Sequence, residues 1–146
     1  MKIAVASDHA GFEFKTKLIP FLKQLGHEVQ DFGCDSFESC DYPDFGEPAA
    51  KSVVEGNNDR AILLCSNGNG MCMLANKIPG AVAALVYNLH TAEITRKHHD
   101  STILCLGAKE IPYDQLLDMV KVWLTTEFES GRHARRMMKV KSLDTK

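Results

Sequence analysis

Arg60-Ala61-Ile62-Leu63-Leu64-Cys65-Ser66-Asn67-Gly68-Asn69-Gly70-Met71-Cys72-Met73-Leu74-Ala75-Asn76-Lys77 is the stretch on which the fold turns. Its first six residues form an apolar run of strand length with no polar alternation, the pattern of a strand covered on both faces. Ser66 to Gly70 is a cluster of turn residues, and Met71 to Lys77 reads as a helix. A strand that passes through a glycine-rich turn into a helix is half of a βαβ unit, and such units build parallel sheets with helices on both faces.

The same grammar extends in both directions. Upstream, Lys2 to Ala6 reads as a strand, Ser7-Asp8-His9-Ala10-Gly11 as a turn, and Phe14, Leu18, Phe21 and Leu25 share one helical face that Gly26 should end. Pro20 inside that pattern should kink or break the helix near Ile19. His27 to Phe32 reads as a second strand, followed by a loop to about Asp44 and a short helix ending at Gly56. Downstream, Ala81 to Val86 and Thr102 to Leu106 read as strands, and Thr91 to His98 and Tyr113 to Thr126 as helices, the last burying Leu116, Leu117, Val120, Trp123 and Leu124. The expectation is one three-layer α/β domain over residues 1–146, Rossmann-like or flavodoxin-like, with five parallel strands in the order 2-1-3-4-5. A basic helical tail, about residues 129–146, follows. Its Met137, Met138 and Val140 should pack against something such as a second subunit.

Composition narrows the function. The chain has 146 residues, 45% of them hydrophobic and 25% charged, so one domain with a real core is expected. Seventeen basic and nineteen acidic side chains leave a net charge of −2, which argues against a surface held on nucleic acid by bulk electrostatics. No apolar run approaches the roughly 20 residues that span a bilayer, and the start Met1-Lys2-Ile3-Ala4-Val5 lacks a signal peptide's apolar region, so a cytoplasmic protein is expected. Five cysteines, Cys34, Cys40, Cys65, Cys72 and Cys105, form neither a disulfide framework nor a zinc spacing.

In an open α/β sheet ligands bind outside the carboxyl ends of the strands, where the strand order reverses. The turns after the first and third strands, Ser7 to Gly11 and Cys65 to Gly70, should face each other there. The second is no nucleotide motif: Met stands where G-x-G-x-x-G needs its third glycine, and no Gly-Lys-Ser/Thr occurs. What remains is a tight loop whose backbone N–H groups suit a phosphate or an oxyanion, with the Cys65 thiol at its entrance as a nucleophile, a general base or merely a packed side chain. His98 and His99 precede Asp100, a carboxylate able to orient one imidazole for acid–base work. No second cluster offers matching metal-ligand spacing, so no metal is expected. On a helix, Arg132 and Arg136 are i, i+4 neighbours that could grip a phosphate or simply face solvent.

Taken in order, Ser7-Asp8-His9-Ala10-Gly11-Phe12, Gly26-His27-Glu28-Val29, Asp41-Tyr42-Pro43-Asp44, Cys65 with Gly68-x-Gly70, Ala75-Asn76-Lys77, His98-x-Asp100, Leu106-Gly107-Ala108 and Thr126-Glu127-Phe128-Glu129 with Gly131-Arg132-His133-Ala134-Arg135-Arg136 resemble the sugar-phosphate isomerases of the ribose-5-phosphate isomerase type B and galactose-6-phosphate isomerase superfamily. The tail resembles the type B branch. This resemblance implies a cofactor-free, metal-independent interconversion of D-ribose 5-phosphate and D-ribulose 5-phosphate through an enediol, as in the pentose phosphate pathway. It implies Cys65 as the base between C2 and C1, His98 as the group that opens the sugar ring, and the Gly68 to Cys72 amides as the enediolate hole. Asp8 would hold sugar hydroxyls, and His9, Arg132 and Arg136 the phosphate, the arginines acting in the neighbouring subunit of a homodimer or of a tetramer built from it. Tyr42, Ser66, Asn69, Gly70, Met71, His99 and Lys109 complete the implied substrate set.

The chain departs from the family pattern at several of these positions. Asn67 stands where the family carries a hydroxyl that helps proton transfer, and Ser66, His99 and Lys109 replace a usual Gly, Asn and Arg. Some members use a Glu at the position of Met71 as the base. The alternatives are isomerisation of a six-carbon aldose phosphate such as allose 6-phosphate or galactose 6-phosphate, a phosphometabolite-binding domain without turnover, and redox sensing by Cys65 or Cys72.

Overall fold

In strand β1 (Lys2–Ser7), Ile3 and Val5 point to one side and Ala4 and Ala6 to the other, and all four are fully buried. β3 (Arg60–Cys65) repeats the pattern with Ile62 and Leu64 against Ala61, Leu63 and Cys65, and β5 (Ile103–Gly107) with Leu104 and Leu106 against Ile103 and Cys105. Strands apolar on both faces need cover on both, as the sequence indicates. The computed structural model describes residues 1–145; Lys146, which ends both the expected domain and its basic tail, lies outside the described residues. The remaining elements are α1 (Phe12–Gln24), β2 (Glu28–Asp31), α2 (Tyr42–Val54), α3 (Asn69–Asn76), β4 (Ala83–Leu85), α4 (Leu89–His99), α5 (Tyr113–Thr125), α6 (Arg132–Lys141) and a closing 3-10 turn, Ser142–Thr145. Helices α1, α4 and α5 cover the Ile3 side of the sheet, and α2 and α3 the Ala4 side. Among the described residues no helix is long and apolar enough to cross a membrane.

All strands are parallel, but their order is β2-β1-β3-β5-β4, not the expected 2-1-3-4-5. Burial explains the exchange. β5 is five residues long and fully buried, whereas β4 is a three-residue Ala-Ala-Leu segment only partly covered, so the longer, more apolar strand takes the inner position and the weaker one the edge. Right-handed crossovers then set the layers. The chain steps in the same direction from β1 to β2 and from β4 to β5, so α1 and α4 share a face. The switch point between β1 and β3 is untouched by the exchange, but β5 now delivers its following residues directly beside the Cys65 loop.

Pro20 does not break α1, which runs unbroken to Gln24. Both Pro20 and Thr16, whose carbonyl it leaves without a helical donor, face solvent, so water can satisfy the freed group. At the amino-terminal end of the sheet the Trp123 indole N–H donates to Ser101 Oγ at 2.9 Å, and Arg60 lies 5.0 Å over the indole while donating to the Trp123 and Leu124 carbonyls. Burial, then the nearby Arg96 charge, pulls the Arg60 pKa down to about 10. Helix α6 packs on α4, where the His133 ring meets His98, buries Met137 and leaves Met138 and Val140 exposed, as is Leu143 in the closing turn.

Candidate active site

The turn after β1 is tied by Asp8, a buried residue whose Oδ1 accepts the Ala10 and Gly11 N–H groups at 2.9 and 3.1 Å. A Cβ on Gly11 would stand 2.8 Å from Leu64 Cβ, so glycine here lets the β1 turn close onto β3. His9 Nδ1 accepts the Cys40 N–H at 3.2 Å, which places the proton of a neutral ring on Nε2.

Across from it, the loop after β3 enters α3 through Gly68, whose φ of 82° and whose close packing on Leu85 and Leu106 exclude a side chain. The Cys65 thiol is 4% exposed and accepts the Gly68 N–H at 3.2 Å. Asn67 Oδ1 caps the Asn69 N–H at 3.0 Å, leaving the Gly70 and Met71 N–H groups at the helix start without a protein acceptor among the described residues. Asn67 and Ser66 are exposed. The residues after β5 hold the loop from its other side, where the Ala108 N–H donates to the Cys65 carbonyl and the Lys109 N–H to that of Ser66, at 2.9 and 3.0 Å. A Cβ on Gly70 would lie 2.6 Å from Tyr42 Cζ, so the tyrosine ring roofs the start of α3. Met71 is fully buried against Gly46, and only its backbone faces the loop. Behind the loop, a hydrogen bond from the Cys105 thiol, with further bonds from the Leu85 backbone and Asn76, lowers the half-buried Cys72 to about 7, while burial pushes Cys105 well up.

Asp8, His9, Tyr42, Cys65 to Met71 and Lys109 therefore gather at the carboxyl ends of the strands. His98, His99, Arg132 and Arg136 do not join them. Helix α4 runs back against the strand direction, so its last residues stand at the amino-terminal end of the sheet, about 16 Å away by the rise of β3 alone. Asp100 does not orient either histidine as expected, because its carboxylate pairs with the buried Arg96 at 2.9 Å. The carboxylate beside His98 is Glu129, at 3.9 Å, and the His98 ring stacks on His133 with centroids 4.0 Å apart and planes within 7°. His133 Nε2 lies 3.6 Å from the same Glu129 oxygen, and burial, then the adjacent His98 and Arg132 charges, hold its pKa below the ordinary value. Sequence reading missed Glu129 and His133 as partners of His98. The signal present was their own i, i+4 spacing at the entry of α6.

The profile of the family described as Ribose/Galactose Isomerase matches residues 3–140. A putative sugar phosphate isomerase of Bacillus subtilis is 41% identical, with 100% of this chain and 99% of that protein covered. The ribose-5-phosphate isomerase B structure from Clostridium thermocellum superposes with a TM-score of 0.98 at 44% identity, covering 99% of this chain and 98% of that one. The Mycoplasma genitalium ribose-5-phosphate isomerase B, solved with bound ribulose-5-phosphate, gives 0.96 at 36% identity over 99% of this chain and 97% of that one.

Proposed function

The chain belongs to the ribose/galactose isomerase family, and from that premise we propose that it interconverts D-ribose 5-phosphate and D-ribulose 5-phosphate without a metal or other cofactor. The observation that carries the reading is the Cys65 loop. A buried sulfur that receives one backbone N–H sits beside two further N–H groups, at Gly70 and Met71, with no protein acceptor among the described residues. A base next to preorganised donors is what moving a proton through an enediolate requires. In this mechanism the Cys65 thiolate removes the proton from C2 of the open-chain aldose, a proton passes directly from O2 to O1 of the enediolate, and the Cys65 thiol returns its proton to C1 as the C2 ketone forms. The charge that builds on the carbonyl oxygen meanwhile rests on the Gly70 and Met71 N–H groups. Asp8 holds sugar hydroxyls, His9 a phosphate oxygen through its Nε2–H, and Tyr42, Ser66, Asn69 and Lys109 the walls. Asn67 donates a hydrogen bond to the sugar but does not relay a proton.

Ring opening is assigned to His98, which exchanges a proton with the ring oxygen. One chain holds His98 and Cys65 at opposite ends of the sheet, so the working site is composed by two subunits of a homodimer, the second presenting its own His98, His99, Arg132 and Arg136. The exposed Met138, Val140 and Leu143 around the tail support that pairing.

The test is proton NMR of chelator-treated protein with D-ribose 5-phosphate in D2O, beside D-allose 6-phosphate. Ribulose 5-phosphate should form with solvent deuterium entering the carbon skeleton, and Cys65→Ala should abolish turnover while substrate still binds. A folded dimer that converts neither sugar, or a Cys65→Ala variant of near-normal kcat, overturns the assignment.

A further inference from the structure

The donor atoms of His98, Glu129 and His133 lie within 4.8 Å of one another, well away from the Cys65 loop of the same chain. They come from three places, the end of α4, the loop before α6 and its first turn, and the backbone N–H of Glu129 anchors that loop on the Lys97 carbonyl at 3.0 Å. Glu129 Oε2 stands 3.9 Å from His98 Nε2 and 3.6 Å from His133 Nε2. Four-coordinate zinc holds nitrogen and oxygen donors at about 2.0–2.2 Å, which sets neighbouring ligands roughly 3.3 Å apart. The His133–Glu129 pair, at 3.6 Å, is close to that spacing already, and the His98–Glu129 pair, at 3.9 Å, must draw in by roughly half an ångström as the His98 ring turns. Two imidazoles and one carboxylate, with the side chains of His98 and Glu129 31% and 48% exposed, leave a fourth position open to water. That donor set suits zinc and its transition-metal neighbours, whereas magnesium and calcium prefer oxygen throughout.

We propose that His98, Glu129 and His133 form a binding site for zinc or a similar divalent transition cation, and that its occupation stops ring opening by taking up the His98 Nε2 lone pair. The inhibitory half rests on the proton-exchanging role assigned to His98 above. The stack defines what binding must do. Two nearly parallel rings direct their lone pairs alongside each other, so one must turn before both meet a single ion. His98 is the ring able to turn, being half-buried with a broad terminal torsion, while His133 is only 8% exposed and stays in place. Arg132 and Arg136 add positive charge nearby, which makes this a reversible site that a chelator empties, unlike a structural zinc centre.

The experiment is titration calorimetry of chelator-treated protein with zinc chloride, with the absorption spectrum of the cobalt complex read alongside. One zinc per chain is expected, and both Glu129→Gln and His133→Asn should weaken it at least about tenfold. The exposed, near-isosteric Glu129→Gln change tests the site even where His133→Asn disturbs folding. Read on the Cys65→Ala protein, because the proposed dimer brings Cys65 of one subunit to His98 of the other, the cobalt spectrum should lack a thiolate charge-transfer band, which separates this site from the remaining thiols. Zinc affinity equal in the wild type and Glu129→Gln, or a cobalt spectrum dominated by thiolate ligation, overturns the site. Turnover of ribose 5-phosphate should fall with zinc occupancy and return with EDTA; full turnover at saturating zinc overturns the inhibitory half. Should the protein isomerise no sugar, the calorimetric and cobalt results still decide the site.

Discussion

Cys65 and Cys72 are seven residues apart, and their surroundings divide their work. Cys65 is enclosed at the strand end and takes its hydrogen bond from the loop, while Cys72 is half-buried and takes one from the Cys105 thiol. Burial keeps Cys105 protonated, so it stays a donor, and a donor to sulfur favours the thiolate of Cys72. Alkylation of Cys72, followed by mass spectrometry against pH, should show a midpoint near about 7, and Cys105→Ala should move that midpoint upward. The sign for stability follows. A thiol whose folded pKa lies below its ordinary 9.0 contributes stability that is complete above pH 9 and is lost as pH falls through about 7. The melting temperature of the wild type should therefore rise across that window more than that of Cys72→Ala. At this scale the sequence was legible where the chemistry is local: the Cys65 loop lies between one strand and the next helix, and its glycines announce it. His98 was legible as a candidate, but its partners were not. Asp100, two residues away, is claimed by Arg96, and Glu129 reaches His98 only because α6 folds back on α4.

Elements that carry site residues depend on their ends. α4 begins at Asn88, whose side chain accepts the Thr91 N–H at 2.7 Å while Thr91 Oγ1 accepts the Asn88 N–H at 3.2 Å, a reciprocal cap. Asn88→Ala should cost about 1 kcal/mol in denaturant unfolding, and an unchanged midpoint would show the cap to be dispensable. Strand positions were legible to within two residues at each end, because a buried parallel strand is apolar throughout and glycines such as Gly26 and Gly56 mark where helices stop. Strand order was not. A strand's place depends on how well its neighbours cover it, and Ala83–Leu85 loses the inner position to Ile103–Gly107 only when both are compared in the sheet. Pro20 was misjudged for a related reason: its cost depends on whether water reaches the Thr16 carbonyl, which is a property of the folded surface.

The whole molecule divides its chemistry between two ends. The Cys65 loop and the His98–Glu129–His133 cluster cannot serve one substrate within one chain, so the proposed dimer predicts complementation. Inactive Cys65→Ala protein mixed with inactive Arg136→Ala protein should recover about a quarter of wild-type activity, the statistical share of intact sites in a symmetric dimer. No recovery, with subunit exchange confirmed, would mean that each site is built within one chain. The resemblance in the sequence pointed to this sharing through the tail arginines; the separation of His98 from Cys65 adds a second reason that no residue pattern displayed, since helix direction is set by the sheet.

The position of β5 also orders events in time. On the ribosome β4 emerges first, yet its only sheet neighbour is β5, which is made nearly twenty residues later and must slot between β3 and β4. A nascent chain that ends before Ile103 thus holds a three-stranded sheet with an open apolar edge at β3 and a β4 with nothing to pair with. The Ala108 and Lys109 N–H groups that clasp the Cys65 loop arrive later still. The loop can take its final shape only once Lys109 has been made, and until then the β3 edge stands open to pairing with other chains.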